Sequence, residues 1–354
     1  MNGKVLMKGN EAIAEAAIAA GCRHFFGYPI TPQTEVAAYM SKRMPKIDGV
    51  YLQGESEVAS INMVLGAGAA GVRVMTSTSS PGVSLMAEGI SYLAGSDVPC
   101  LIVNVQRGGP GLGGIQPSQA DYFQATKSTA HGDFHILVFA PSTVQETVDI
   151  ISTAFDLGDE YRMPAMVLSD GMLGQMMEPV VLPEQREPDN DSKPWAACGH
   201  QNKREHNIVN SLYINPQELE ELVIQRFRKY EEIKEKHQMA EEYLADDADI
   251  IIVAYGSSSR VSRSAIDAAR KQGIKVGMVR PITLWPFPEK AIGKHAEHAK
   301  AFLSVEMSMG QMVDDVRLVV NGKVPVEFYG RTGGVIPTPN EILAEIVRIN
   351  GGVQ

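Results

Sequence analysis

Short apolar runs alternate with segments of helical periodicity through the first half of the chain. The apolar runs have the length of strands and are CRHFFG, VYLQGE, VRVMTSTS, CLIVNVQ, HILVFAP and MPAMVLSD. Helical patterns separate them, at residues 11–20, 32–44 and 144–156 and in the runs SEVASINMVLGAGAAG and SLMAEGISYLAG. Strands that alternate with helices predict an α/β fold with a parallel sheet covered on both faces.

The pattern changes after about Pro183, where LPEQREPDNDSKPWAACGHQNKREHN is polar and contains prolines. Residues 216–243 are rich in Glu and Lys and predict one long helix or a helical hairpin. A second α/β pattern follows, with strands at ADIIIVAYG, IKVGMVRP, FLSVEM and VPVEFYG and helices at residues 260–272 and 339–349. We therefore predict a sheet domain over residues 1–184, a polar linker and helical connector over 185–246, and a second α/β domain over 247–354.

Composition narrows the class of protein and partner. A length of 354 residues favours two domains, and 44% hydrophobic with 21% charged residues is typical of a globular protein. The formal net charge of -10 argues against nucleic acid or an anionic membrane surface as the main partner. The N-terminus lacks a signal-peptide h-region and no segment reaches the ~20 apolar residues of a membrane span, so we expect a cytoplasmic protein.

The cysteines indicate no metal site in this chain. Cys22, Cys100 and Cys198 are far apart, and no CxxC or other cluster-ligand spacing occurs. Cys198 with His200 and His206 forms a faint metal-like pattern that fits a polar linker better. We therefore predict neither an iron–sulfur cluster nor a zinc site.

Two glycine-rich segments match GxGxxG without the context of a dinucleotide site. GAGAAG at residues 66–71 ends a helix and precedes a strand, which is the reverse of the required order, so close helix packing is the better interpretation. GPGLGG at residues 109–114 follows a strand but leads into the polar IQPSQAD, which predicts a flexible loop at a strand end. A GDG motif followed roughly 25–30 residues later by Asn, the usual magnesium–diphosphate signature, is absent.

Polar side chains follow three strands of the first domain: Thr31, Glu57 and Arg107. Because the carboxyl ends of parallel strands meet at one edge, we expect these groups to form a site there, with Arg107 able to clamp a carboxylate. Each has an alternative interpretation. Thr31 could cap a helix that starts at Pro32, Glu57 could be a first-turn glutamate favoured by the helix dipole, and Arg107 could be a solvated charge.

The motifs YPITP, ESEVASINMVLGAGAAG, TSTSSPG and NVQRGGPGLGG with QADYFQAT, in this order, resemble the α subunit of 2-oxoacid:ferredoxin oxidoreductases. AYGSSSR and VRPITLWPFP resemble that family's transketolase-C-terminal-like domain. LMKGNEAIAEAAI and GQMMEPV are most similar to the branched-chain, 2-oxoisovalerate group, with the 2-oxoglutarate group as the alternative. The resemblance implies a thiamine-diphosphate-type pyrimidine-binding domain with a parallel sheet, followed by a transketolase-C-terminal-like α/β domain.

The resemblance also implies an activity and partners. Such enzymes use thiamine diphosphate and coenzyme A to convert a 2-oxoacid to acyl-CoA and CO2, and the electrons go to ferredoxin. The α chain would supply the pyrimidine side, while a β subunit holds the magnesium–diphosphate end and the 4Fe-4S clusters belong only to partner chains. A dimer of heteromers is expected, with room for γ and ferredoxin-like δ subunits. A non-catalytic module that binds a nucleotide or stabilises a complex is the alternative function.

The resemblance assigns roles to particular residues. Glu57, the second acid of ESE after Glu55, would hydrogen-bond the N1′ atom of the aminopyrimidine ring. Thr31 would donate a hydrogen bond to the carboxylate or oxo group of the substrate, and Arg107 would pair with its carboxylate. Three further residues would line the pyrimidine pocket: Ser80, Pro81 and Gly82.

In the second domain, the turn GSSSR at residues 256–260 resembles an anion site, although a polar turn with serine N-caps is the preferred interpretation. We therefore expect the second domain to contribute to assembly rather than to chemistry.

Overall fold

The computed structural model describes residues 3–127, 129–188 and 193–352. The strands, in chain order, are β1 (Val5–Lys8), β2 (His24–Gly27), β3 (Val50–Gln53), β4 (Val74–Thr78), β5 (Leu101–Gln106), β6 (Leu137–Phe139), β7 (Ala165–Asp170), β8 (Met177–Val180), β9 (Ala240–Tyr243), β10 (Ile250–Val253), β11 (Val276–Pro281), β12 (Thr283–Trp285), β13 (Ala301–Glu306) and β14 (Val326–Gly330). The helices are α1 (Gly9–Ala19), α2 (Thr34–Arg43), α3 (Glu57–Ala69), α4 (Ser80–Gly95), α5 (Tyr122–Thr126), α6 (Val144–Tyr161), α7 (Gly171–Gln175), α8 (Pro216–Lys236), α9 (Gly256–Lys271), α10 (Glu289–His295), α11 (Met312–Val320) and α12 (Pro339–Gly352).

A seven-stranded sheet organises the first half of the chain, in the order β12-β6-β7-β5-β4-β2-β3. Its strands are parallel apart from β12, which pairs antiparallel with β6. The central strands β4, β5 and β7 are buried along their whole length, as expected for a sheet covered by helices on both faces. The carboxyl ends of β2, β3, β4 and β5 therefore lie at one edge, where the candidate residues follow them.

A second sheet has the order β14-β13-β10-β11-β9. Here β9 alone of the five strands runs antiparallel, along β11. Its core strand β10 reads IIIV and is fully buried. A small antiparallel pair, β1 with β8, completes the strands. None of the helices in the described ranges is long and apolar enough to cross a membrane.

The structure differs from the sequence predictions at two places. The helical segment predicted over residues 216–243 ends at Lys236, and residues 240–243 form β9 instead. Glu241 on this strand forms ion pairs with Arg280 of β11 and Arg263 of α9, so contacts distant in sequence override the local helical composition. In addition, β12 comes from the predicted second domain but extends the first sheet. Two strands therefore cross the predicted limits. Strand β9, from the predicted connector, belongs to the second sheet, and β12, from the predicted second domain, belongs to the first sheet.

Gly68 of GAGAAG serves close packing, as predicted for this motif. Gly68 lies within α3, and a Cβ atom added there would lie 2.6 Å from Val98 Cγ1 and 3.1 Å from Pro99 O. The helix can approach this loop only because Gly68 has no side chain. No phosphate-binding role is needed to explain the motif.

Candidate active site at the strand ends

Thr31 lies in the turn after β2, and Gln33 holds that turn against the sheet. The fully buried Gln33 side chain donates from Nε2 to Tyr28 O at 3.0 Å and accepts a hydrogen bond from Ser77 Oγ at 2.7 Å. Because α2 begins only at Thr34, with Gln33 at its N-cap, Thr31 does not cap this helix. The Thr31 side chain is exposed, and its hydroxyl makes no hydrogen bond within the part of the chain that the structure describes. It is therefore available to an external group.

Arg107 follows β5 and is buried, with 7% of its surface exposed. The interpretation as a solvated charge is therefore wrong. Its Nη1 donates to Thr31 O at 2.9 Å and its Nη2 donates to Leu112 O at 3.1 Å. Nε finds no partner among the described residues. Since a guanidinium has five N–H donors and two are used here, three donors remain for a carboxylate.

Glu57 is the first residue of α3 and is 4% exposed. Ser56 caps this helix, accepting a hydrogen bond at Oγ from Ala59 N at 3.2 Å. The first-turn position of Glu57 also fits the helix-dipole interpretation. Its carboxylate, however, makes no hydrogen bond within residues 3–127, 129–188 and 193–352. A buried carboxylate without a partner is costly, so Glu57 is a candidate to bind a group from outside the chain.

The turn from β4 into α4 forms a polar cradle beside this carboxylate. A Cβ atom added to Gly82 would lie 1.9 Å from Thr78 Oγ1 and 2.8 Å from Glu57 Oε1, so any larger residue would fill the space. The hydroxyls of Thr78 and Ser79 are buried and lack hydrogen-bond partners among the described residues. The two unpaired hydroxyls and the carboxylate together offer the polar groups that the edge of a flat heterocycle, such as an aminopyrimidine, can bond.

Ser80 connects this cradle to Arg107. Its backbone N donates to Asn104 Oδ1 at 3.0 Å, and its hydroxyl accepts from Arg107 N at 3.0 Å and donates to Asp121 Oδ2 at 2.5 Å. The Ser80 hydroxyl is therefore already bound within the chain. Pro81, in the first turn of α4, is partly buried. The structure thus brings the six predicted residues to one edge of the sheet, with the turn at 80–82 between Glu57 and Arg107.

Asp121 is a site residue that the sequence analysis did not identify. It lies within the quoted motif QADYFQAT, and Oδ2 accepts hydrogen bonds from both Ser80 and Asn104. Burial raises the pKa of Asp121, while the hydrogen bonds from Ser80 and Asn104 act in the opposite direction. The sequence does show an acidic residue directly before the aromatic pair Tyr122-Phe123, which could have drawn attention to Asp121. It does not show that Asp121 bonds Ser80 and Asn104.

A cleft of about 530 Å³ begins at Thr31. Its lining contains threonines, glutamines, Gly171 and one carboxylate, that of Glu35. The remaining lining residues are apolar: Pro32, Ile115, Pro117, Met172 and Ile336. The glycine-rich loop at residues 109–114 forms no helix or strand and is exposed; Leu112 within it is 85% exposed, and Ile115 directly after it is 59% exposed. Arg107 borders this cleft through its contacts with Thr31 and Pro117.

Two further motifs carry no open site. In the turn at residues 256–260, Ser258 and Ser259 are buried and donate to backbone oxygens, while Arg260 forms an ion pair with Glu178 at 2.9 Å. These residues form the first turn of α9, whose N-cap is Tyr255, so the prediction of serine N-caps is wrong and the two serine hydroxyls instead donate to the backbone oxygens of Tyr255 and Gly256. The rings of His200 and His206 lie 3.9 Å apart, but the described residues contain no group of three side chains suited to hold a metal ion.

Comparison with known proteins adds independent information. Residues 15–242 match the family model of the thiamine-diphosphate-binding domain of pyruvate flavodoxin/ferredoxin oxidoreductases, and residues 248–342 match core domain II of pyruvate:ferredoxin oxidoreductase. The chain is 47% identical to the ketoisovalerate oxidoreductase subunit VorB of Methanothermobacter thermautotrophicus, covering 98% of both chains. It is 38% identical to the 2-oxoglutarate synthase subunit KorA of Methanothermobacter marburgensis, over 98% of this chain and 99% of that one.

Solved structures agree with this relationship. A 2-oxoglutarate:ferredoxin oxidoreductase from Magnetococcus marinus, with 2-oxoglutarate, coenzyme A and succinyl-CoA bound, superposes with a TM-score of 0.86 at 29% identity. All of this chain is covered, and it spans 66% of that longer chain. A split-gene transketolase shares the fold, with a TM-score of 0.58 at 13% identity. The predicted α/β fold and the family resemblance are both confirmed. The chain belongs to the 2-oxoacid:ferredoxin oxidoreductase family of enzyme subunits.

Proposed function

We propose that this chain is the α subunit of a branched-chain 2-oxoacid:ferredoxin oxidoreductase. The reaction converts a 2-oxoacid and coenzyme A to acyl-CoA, CO2 and a proton, and two electrons pass through iron–sulfur clusters in partner chains to ferredoxin. The relatives named ketoisovalerate oxidoreductase subunits support this substrate class. The observation that carries the proposal is the buried carboxylate of Glu57, which lies beside Gly82 and has no hydrogen-bond partner among the described residues.

Glu57 and the cradle would hold the pyrimidine ring of thiamine diphosphate, which supplies the nucleophilic carbon of the reaction when bound. The Glu57 carboxylate would share a proton with the ring nitrogen N1′, and its lack of a competing partner in the described chain supports this role. The Thr78 and Ser79 hydroxyls remain to bond other polar atoms of the ring. The diphosphate end and its magnesium ion would lie on a partner β subunit, so the site is shared between two chains.

Arg107 and Thr31 would hold the substrate carboxylate. The two carbonyl contacts fix the guanidinium in position, and its remaining donors and the free Thr31 hydroxyl lie beside the cleft. CO2 leaves from the group that is held, so these residues should orient the carboxylate without stabilising it more than the transition state.

The cleft beyond Thr31 favours a branched aliphatic side chain. Its lining is largely apolar, and the charged side chain that lines it is the acidic Glu35. Among the described residues that line the cleft, none is a cation that could pair with the second carboxylate of 2-oxoglutarate, the alternative that the KorA relatives represent. A screen of 2-oxoisovalerate against 2-oxoglutarate in the assembled complex separates these two substrates.

Glu57→Gln in the assembled complex tests the proposal. We expect 2-oxoisovalerate-dependent ferredoxin reduction to fall by at least about three orders of magnitude while the complex stays assembled, because the amide cannot share the proton. Glu55→Gln is the matched control, since Glu55 is exposed two residues away, and it should keep near-wild-type turnover. Unchanged turnover in Glu57→Gln would support the non-catalytic alternative, and full activity of the α chain alone would exclude a shared site.

A further inference from the structure

Gln119 joins the segment behind the glycine-rich loop to the second sheet. Its side chain is fully buried, with Nε2 donating to Tyr255 O at 2.7 Å and Oε1 accepting from Met307 N at 3.0 Å. Its backbone forms two more hydrogen bonds with the same residues, from Gln119 N to Met307 O at 2.9 Å and from Tyr255 Oη to Gln119 O at 3.1 Å. Tyr255 and Met307 follow β10 and β13, neighbouring strands of the second sheet. Four hydrogen bonds therefore fix this segment to the second domain.

Asp121 lies two residues further along the same segment and faces the candidate site. Its Oδ2 accepts hydrogen bonds from Ser80 Oγ at 2.5 Å and Asn104 Nδ2 at 3.0 Å. The same Ser80 hydroxyl accepts the hydrogen bond from Arg107 N. A continuous series of contacts thus leads from the second sheet through Gln119, Asp121 and Ser80 to the backbone of Arg107.

We propose that the second domain positions the substrate-binding Arg107 through Gln119, Asp121 and Ser80. This inference rests on the proposed function and revises the expectation that the second domain serves assembly alone. The three residues act as positioning residues, because their side chains bond other residues of the chain and act on the substrate through Arg107. If Asp121 shifts, Ser80 loses its acceptor, and the strand end that carries Arg107 is no longer held at the distance from Thr31 that substrate binding requires.

Kinetics of the assembled complex test this inference, with Gln119→Met as the main variant. Methionine has a similar length and makes neither side-chain hydrogen bond. We expect the KM for the 2-oxoacid to rise about tenfold, with kcat within about twofold of wild type and the KM for coenzyme A unchanged. Tyr255→Phe is a milder variant that keeps the ring and loses the hydroxyl contacts to Gln119 and Gln106, and it should raise the same KM about threefold.

Tyr122→Phe is the matched control. Tyr122 is buried in the same segment, and its hydroxyl donates across the same domain interface to Asp315 Oδ2 at 2.5 Å, whereas none of its side-chain hydrogen bonds among the described residues reaches Ser80 or Arg107. We expect its 2-oxoacid KM to stay within about twofold of wild type. An equal rise in KM for Tyr122→Phe and Gln119→Met would mean that the interface acts only through overall stability and would overturn the inference.

Asp121 supplies a rescue test. Both hydrogen bonds reach one oxygen, Oδ2, so Asp121→Asn can keep them with its amide oxygen, whereas Asp121→Leu cannot. We expect a KM increase below about threefold for Asn and above about tenfold for Leu. Equal effects of the two variants, or no effect of Gln119→Met in an active complex, would refute this inference alone. Retained turnover in Glu57→Gln would instead refute the proposed function.

Discussion

Gly82→Ala should distort the cradle that we assign to the pyrimidine ring. Gly82 lies in the first turn of α4, and the added Cβ atom would lie 1.9 Å from Thr78 Oγ1 and 2.8 Å from Glu57 Oε1. Real Cβ contacts essentially never fall below 3.0 Å, so the backbone of α4 and the Thr78 hydroxyl must separate by about 1 Å. The Glu57 carboxylate must also move, by a few tenths of an ångström.

The expected magnitude follows from these displacements. Overpacking of a buried site costs about 1–3 kcal/mol, so the free energy of unfolding of the chain should fall by that amount. A misplacement of about 1 Å in a catalytic site reduces turnover about 100-fold, so kcat of the assembled complex should fall to about 1% of wild type. Urea unfolding of the chain and ferredoxin reduction by the complex measure the two effects separately.

Two variants complete this experiment. Gly66→Ala is the matched control in α3, where an added Cβ meets nothing within 4 Å, so stability should rise by about 0.5–1 kcal/mol through helix propensity. Thr78→Ala combined with Gly82→Ala removes the 1.9 Å contact but keeps the 2.8 Å contact with Glu57, so it should restore stability more than turnover. Wild-type kcat and stability in Gly82→Ala would refute the assignment of the cradle.

Three further predictions concern single side chains. Thr31→Val should change the free energy of unfolding by less than about 0.5 kcal/mol, because the Thr31 hydroxyl has no partner in the described chain. It should raise the KM for the 2-oxoacid about tenfold, and an unchanged KM would show that Thr31 does not bind the substrate. Burial lowers the pKa of His135 to about 4, so the stability that its neutral form contributes above pH 6.5 is lost as the pH falls from 6.5 towards 4. The free energy of unfolding should fall by up to about 3 kcal/mol, and by less to the extent that solvent reaches the ring. In urea unfolding at a series of acid pH values, His135→Phe should lose stability less steeply than wild type. Equal slopes would contradict the lowered pKa of His135. Burial raises the pKa of the Cys22 thiol to about 12 and that of Cys100 still further, whereas Cys198 is exposed. Iodoacetamide at pH 8 should therefore label Cys198 alone in the native chain, as read by mass spectrometry. Labelling of all three cysteines would show that Cys22 and Cys100 are accessible.

The sequence predicted the first sheet well because its central strands are uninterrupted buried runs. LIVNVQ and AMVLSD are buried at every position, and such runs bounded by turn residues are typical of parallel strands. The strand β9 escaped prediction because AEEY has no apolar alternation. Its place is determined by pairing with β11 and by the ion pair of Glu241 with Arg280, which are 39 residues apart.

The location of the site was predictable in the same way, but its internal contacts were not. Parallel topology alone places Thr31 and Arg107 at one edge, and the structure joins them through a 2.9 Å hydrogen bond. Gln119 and Asp121 had no such signal. The hydrogen bond from Gln119 to Tyr255 spans 136 residues of sequence, and neither a glutamine nor an acid in a loop shows by its type what it contacts.

The central claim is that Glu57 activates thiamine diphosphate by sharing a proton with its pyrimidine ring. Hydrogen–deuterium exchange at C2 of the thiazolium ring, measured by NMR after acid quench of the assembled complex, tests this step without any substrate. We predict that Glu57→Gln binds the cofactor but exchanges this proton at least about 100-fold more slowly than wild type, whereas Glu55→Gln exchanges it at the wild-type rate. Equal exchange rates in Glu57→Gln and wild type would contradict the claim.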